Sequence, residues 1–273
     1  MPFIKTRDDV AIHYNDWGTG KPVVLIHGWP LSGAMWEYQS LLLASKGLRV
    51  IAYDRRGFGE SGKPYTGYDY DTLADDLAAL MEGLDLQGAT LVGFSMGGGE
   101  VARYLARHGA SRVAKAVLVS AVTPFMVKTP DHEDGVPRET FDEMVQGLLA
   151  DRPNFLATFG KKFFGAGLLN FTVTNEILQW AQNLALQASP KATLDCVRAF
   201  SETDFRGDMR AFTVPTLVIH GDSDTTVPID VSGRAAARMI QGARLIEYGG
   251  APHGLFFTEK DRLNADLLSF VNG

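Results

Sequence analysis

The stretch Gly93-Phe94-Ser95-Met96-Gly97 constrains this chain more than any other. It follows the β-prone run Thr90-Leu91-Val92 and precedes Val101 to His108, where apolar and basic residues alternate at helical spacing. The order is strand, sharp turn, helix. A serine at the tip of such a turn sits in strained backbone geometry, so the residues two before and two after it must be small. The turn pushes the Ser95 hydroxyl out of the sheet edge and aims the first N–H groups of the helix at whatever that hydroxyl attacks. The pattern is only three fixed residues, and a Gly-rich strand-to-helix loop without chemistry would show it too. What surrounds it decides between the two.

At 273 residues the chain suits one large α/β domain or a domain with an insertion, and it is ample for a single core. A net charge of −6 with no Lys/Arg cluster argues against a nucleic-acid partner. One cysteine, Cys196, leaves no internal disulfide and no metal-site spacing. It lies in a helical stretch and reads as a small buried hydrophobe. No signal-peptide pattern opens the chain and no apolar run reaches membrane length, so no membrane association and a cytoplasmic location are expected.

Taken in order, Val10 to Trp17 alternates in polarity, which suggests an antiparallel edge hairpin. Val23 to Ile26 and Arg49 to Tyr53 are continuous apolar runs separated by a helix from about Ala34 to Ser45, as in strands buried on both faces. Asp71 to Leu84 is the next helix, and Ala116 to Ser120 another buried strand. From 123 to 211 this alternation stops, and the segment reads as several aromatic-rich helices. Strands and helices resume at Pro215 to Gly221, Ser232 to Ile240, Arg244 to Tyr248 and Asp261 to Val271. The expectation is an α/β fold with a mostly parallel central sheet flanked by helices: a core of 1–122 and 212–273, with 123–211 as a helical cap inserted over the loops at the strands' C-terminal ends.

An activated serine needs a base to take its proton and a carboxylate to orient that base. The strand ending at His220 leads into Gly221-Asp222-Ser223-Asp224, and the strand ending at Tyr248 leads into Gly249-Gly250-Ala251-Pro252-His253-Gly254. Serine, acid, histidine is the chain order of the α/β-hydrolases. His253 is the base by its place in a Gly-bounded loop after the last strand. Either Asp222 or Asp224 could be the acid, with Asp224 preferred and the other holding the turn. His13, His108 and His132 read as surface residues, and His27 and His220, at strand ends, as structural.

His27-Gly28-Trp29-Pro30, Tyr53 to Gly59, Tyr68-Asp69-Tyr70-Asp71, Gly93 to Gly98 and Ala251 to Gly254 together resemble the cofactor-free bacterial haloperoxidases, or perhydrolases, a family that overlaps with small aryl esterases and includes γ-lactam hydrolases. The resemblance covers essentially the whole chain. It implies the α/β-hydrolase fold, no cofactor or metal, homo-oligomers, and Ser95, Asp224 and His253 as the triad. It also implies an oxyanion hole made by the backbone N–H groups of Trp29 and Met96. Pro30 has no N–H, so a donor in that loop has to come from a neighbour such as Trp29.

The expected activity is hydrolysis of small aryl or short-acyl esters through an acyl-enzyme, with hydrogen peroxide able to replace water and give a peracid. A Trp29 carbonyl held at the mouth of the oxyanion hole by Pro30 would accept the peroxide proton. The resemblance, more than spacing, implies a lining of Trp29, Pro30, Phe94, Val122, Phe125, Met144, Phe159, Phe163, Phe200, Ile229 and Leu255, a set bulky enough to suggest a cramped acyl pocket. The same triad would also serve a γ-lactam or lactone hydrolase. A non-catalytic binding module of this fold would be expected to have lost one of the three residues.

Overall fold

The computed structural model describes residues 2–167 and 173–273; Met1, and Phe171 of the aromatic-rich segment, lie outside them. Eight strands are described: β1 (Phe3–Lys5), β2 (Ala11–Trp17), β3 (Pro22–Ile26), β4 (Arg49–Tyr53), β5 (Ala89–Phe94), β6 (Val113–Val119), β7 (Thr216–Gly221) and β8 (Arg244–Tyr248). They form one sheet in the order β1-β2-β4-β3-β5-β6-β7-β8. β1 and β2 pair antiparallel, as does β2 with β4; all other pairs are parallel. The alternation of Val10 to Trp17 thus marks the antiparallel edge and the apolar runs mark the parallel centre.

Successive residues of the central strands divide between two cores. Val24, Ile26, Ile51 and Leu91 pack with Leu73 and Leu77 of α2 (Tyr70–Gly83) and Val101 of α3 (Met96–His108) on one face. Val23, Leu25, Val50, Val92 and Phe94 pack with Leu43 of α1 (Glu37–Ser45) and with Leu263 and Leu267 on the other. Burial on both faces is why these strands carry no polar alternation. The start of α2 is capped by Asp69, whose carboxylate accepts the Thr72 N–H at 2.9 Å.

The helical insert lies between β6 and β7 and consists of α4 (Arg138–Phe163), α5 (Asn175–Gln187) and α6 (Pro190–Glu202). A kink divides α4 at Asp151, where φ is −156° and ψ is 85°. Pro153 cannot donate into the preceding turn, and the Asp151 carboxylate restarts the helix by accepting the Asn154 N–H at 3.0 Å. The remaining helices, α7 (Gly233–Met239), α8 (Leu255–Thr258) and α9 (Lys260–Asn272), follow β7 and β8. No described helix is long and apolar enough to cross a membrane.

The loop after β4 carries three charged residues in succession, Asp54, Arg55 and Arg56. All three side chains are buried. Arg56 donates to Asp76 of α2 through Nε and Nη2, both at 2.6 Å. Arg55 pairs with Glu100 of α3, which also accepts the Tyr53 hydroxyl at 2.6 Å. Asp54 accepts the Gly33 N–H at 2.7 Å and faces His13 Nδ1 at 3.1 Å. His13 is therefore buried on β2 and not a surface residue: β1 pairs with β2 at this position, and Asp54 of the β4 loop meets the side chain. The Asp54 hydrogen bond raises the proton affinity of this imidazole.

Removing one partner of a buried ion pair leaves an uncompensated charge. Glu100→Ala should lose about 3–5 kcal/mol in chemical unfolding, and the double variant Glu100→Ala/Arg55→Met should recover part of that loss.

Candidate active site

Ser95 joins β5 to α3 with φ 53° and ψ −118°, left-handed backbone that a non-glycine residue adopts only when its surroundings impose it. Three hydrogen bonds hold it. Its N–H donates to the Val119 carbonyl at 2.9 Å, and its carbonyl accepts from Gly98 at 3.0 Å and Val122 at 3.2 Å. A Cβ on Gly93 would run into the Gly97 carbonyl, and one on Gly97 into the Ile26 carbonyl. The two glycines are thus required by close approach of backbone to backbone.

His253, in the loop between β8 and α8, places Nε2 3.0 Å from Ser95 Oγ and Nδ1 2.6 Å from Asp224 Oδ2. This geometry assigns the Nδ1 proton to the bond with the carboxylate and leaves Nε2 as acceptor for the serine hydroxyl. Asp224 Oδ1 accepts two backbone N–H groups, Thr226 at 2.9 Å and Val227 at 2.8 Å. Burial works against ionisation of Asp224, but the adjacent charge of His253 and the nearness of His220 outweigh it and hold the carboxyl well below its usual range. Asp222 stands elsewhere: its Oδ1 accepts the Gly250 N–H at 2.7 Å and fixes the turn that leads to His253.

Trp29 follows β3 and stands with Ser95 on the wall of one cavity, and Met96, next to Ser95, opens α3. Among the described residues neither N–H has an acceptor, and that of Met96 cannot have one within its own helix. The loop that carries Trp29 is tied down by His27. Burial, with the Arg55 charge beside it, pushes this imidazole down to about 3, so it is neutral at ordinary pH. Nδ1–H donates to the Gly28 carbonyl at 3.0 Å and Nε2 accepts the Arg55 N–H at 3.0 Å, while Arg55 Nη2 donates to the His27 carbonyl at 2.7 Å.

Ser95 and His253 open onto a cavity of about 480 Å³ between core and insert. Of the expected lining, Trp29, Val122, Met144, Phe159 and Phe200 stand on its wall. The others do not. Phe94 and Phe163 pack against the His253 ring at 4.9 Å and 4.8 Å between centroids. Phe125 stacks on His132. Pro30 and Phe163 line a separate narrow crevice. Ile229 and Leu255 are buried, Ile229 accepting the N–H groups of Ser232 and Arg234 before α7 and Leu255 in the core beside α9. Much of the aromatic bulk is spent behind the wall, and the cavity as a whole is larger than an acetyl group.

Residues that sequence reasoning missed complete the wall. Phe155, Thr158 and Lys162 join Phe159 at the i, i+3, i+4, i+7 spacing of one helical stripe on α4, a signal present in the sequence. Thr225 to Pro228 line the cavity directly after Asp224 and could have been found by adjacency. Among the described residues no three His, Cys, Asp or Glu side chains gather as a metal site.

The two aspartates should separate cleanly. Asp224→Asn is expected to lower kcat/KM for an activated ester by about 10³–10⁴, whereas Asp222→Asn, which alters only a turn, should stay within about threefold.

A family model described as alpha/beta hydrolase fold matches residues 21–260. The chain is 46% identical to the non-heme chloroperoxidase CPO-A1 of Kitasatospora aureofaciens, with 100% of both chains covered. It is 42% identical to the bifunctional esterase/perhydrolase DCH of Acinetobacter calcoaceticus, over 99% of both. The crystal structure of a bromoperoxidase from Bacillus anthracis superposes with a TM-score of 0.97 at 48% identity, over 100% of this chain and 99% of that one. The chain belongs to the α/β-hydrolase fold family and, within it, to the non-heme haloperoxidase and esterase/perhydrolase family of serine hydrolases.

Proposed function

We propose that this protein cleaves aryl esters of short carboxylic acids with Ser95 as nucleophile, His253 as general acid and base, and Asp224 as the carboxylate that orients it. The observation that carries the reading is the continuous line from Asp224 Oδ2 through His253 to Ser95 Oγ, at 2.6 and 3.0 Å, opening onto a largely apolar cavity. Ser95 Oγ attacks the acyl carbonyl as its proton passes to His253 Nε2. The buried Asp224 carboxylate stabilises the imidazolium that results. The N–H groups of Trp29 and Met96 are the donors for the oxyanion, each worth roughly 3–4 kcal/mol in the transition state. His253 then protonates the departing alcohol, the acyl group stays on Ser95, and water activated by the same nitrogen releases it.

Hydrogen peroxide in place of water would release a peracid, and a peracid oxidises halide away from the enzyme. The Trp29 carbonyl accepts no hydrogen bond among the described residues, and Pro30 restricts the backbone that carries it. It is therefore available to a peroxide O–H. Aryl esters suit the wall because Trp29 meets Phe159 edge-to-face at 5.3 Å and Phe200 at a tilt at 5.7 Å between centroids.

Initial rates on p-nitrophenyl acetate, beside bromide-dependent dye bromination in acetate with hydrogen peroxide, test the reading. Both activities should be present and both should fall by at least about 10⁴ in Ser95→Ala; bromination that survives in the variant would refute a shared acyl-enzyme. Pro30→Leu should lower the ratio of perhydrolysis to hydrolysis, and an unchanged ratio would remove the role given to the Trp29 carbonyl. Phe200→Ala should raise KM for phenyl acetate about 3- to 10-fold, the size of one aromatic pair, and leave methyl acetate within about twofold.

A further inference from the structure

His220, the last polar residue of β7, is fully buried, and the reaction described above does not use it. Its Nε2 lies 2.9 Å from the Val227 carbonyl and 3.4 Å from Asp224 Oδ2, the same oxygen that faces His253. The shorter contact needs a proton on Nε2, because a carbonyl can only accept. Nδ1 has no partner among the described residues and points at the backbone of Gly233, where an added Cβ would stand 2.6 Å from it. A glycine at the head of α7 thus makes room for an imidazole, and the fold accepts an unpartnered buried nitrogen to keep that ring there. An apolar ring would fill the same space without that cost.

Val227 is held from both sides. Its carbonyl accepts from His220 while its N–H donates to Asp224 Oδ1. The segment fixed in this way, 225–228, is also cavity wall. We propose that His220 is a positioning residue of the triad, its Nε2–H fastening the loop that cradles Asp224 and sharing the negative charge of the carboxylate oxygen that orients His253. This inference rests on the triad reading given above.

The charged and titratable groups around His220 are few. Asp224 faces it on the site side, and His253 shares the same carboxylate oxygen. Glu247 lies opposite it in the β7–β8 register but pairs with Arg234 of α7 at 2.5 Å. Asp222 is engaged with Gly250, and β6 brings uncharged Val119 and Ser120 alongside. Without the His220 N–H, the charge of Asp224 falls more fully on His253. The imidazolium is then held more strongly, and the base is lost at a higher pH.

Two variants and one measurement on the unaltered protein test this. His220→Gln keeps an N–H donor, and His220→Met keeps length without one. With an aryl acetate, His220→Met should lower kcat about tenfold, keep KM within about twofold and move the acid limb of kcat/KM up by about half a pH unit. His220→Gln should stay within about threefold of the starting enzyme with its acid limb unmoved. Equal losses in both variants, or a His220→Met enzyme unchanged in kcat and pH profile, would overturn the proposal. Nitrogen-15 imidazole shifts of the unaltered protein do not depend on how a variant folds: a proton on His220 Nε2 is expected, and one on Nδ1 would overturn it. If no Ser95-dependent hydrolysis is found, the proposed function fails by itself. The far-downfield Nδ1–H resonance of His253 still decides the positioning role, which is supported if that resonance shifts in His220→Met and not in His220→Gln, and overturned if it stays in place in both.

Discussion

A side chain held at φ 53° has to be kept there by something stiffer than itself, and the whole central sheet supplies that stiffness at Ser95. The strained turn is pinned to β6 through Val119, to the loop beyond it through Val122 and to the start of α3 through Gly98. Gly93 lets α3 approach β5, and Gly97 lets it approach β3, until backbone meets backbone. The arrangement requires α3 to stay in one place, and a buried charge on that helix does this. Glu100 joins Arg55 and Tyr53, and Arg55 in turn grips the carbonyl of His27. Nucleophile helix, β4 loop and the loop that carries Trp29 are therefore one buried polar assembly, in which a shift of any member would strand a charge.

The other half of the site is built with less strain and more hydrogen bonds. Asp224 is enclosed by two backbone N–H groups and two imidazoles, and the His253 ring is packed between Phe94 and Phe163. Ser95 and His253 therefore come from opposite styles of construction, one forced by steric closeness and the other satisfied by polar partners. Their meeting distance of 3.0 Å depends on the register of β5, β6, β7 and β8 in a single sheet.

Much of this was legible in the sequence because it depends on local rules. Parallel strands declare themselves by apolar runs, the strained serine by its glycines, and the side chains that line up with Ser95 by their places after β7 and β8. The acid could be narrowed to two aspartates two residues apart but not chosen physically, since only the fold shows which one turns toward His253 and which toward Gly250. The cavity was read less well. Residues such as Phe125 and Phe163 are as aromatic as Phe159 and Phe200, and nothing in composition says which ring faces space and which faces another ring. His13 and the Arg55–Glu100 pair were hidden for a related reason: a charge in a loop looks solvated until a partner distant in sequence arrives to bury it.

The insert is joined to the His253 loop as well as to the core. The Gly254 N–H, next to His253, donates to the Phe163 carbonyl at the end of α4 at 2.8 Å, and Trp29 Nε1 donates to the Thr193 carbonyl of α6 at 3.0 Å. A roof attached at these two points cannot swing open as a lid without pulling on the His253 loop and on the Trp29 loop together. Traffic of substrate and product therefore belongs to the mouth of the cavity. An attempt to graft a different roof onto this core would have to carry the end of α4 with it, because there the covering and the chemistry share one hydrogen bond.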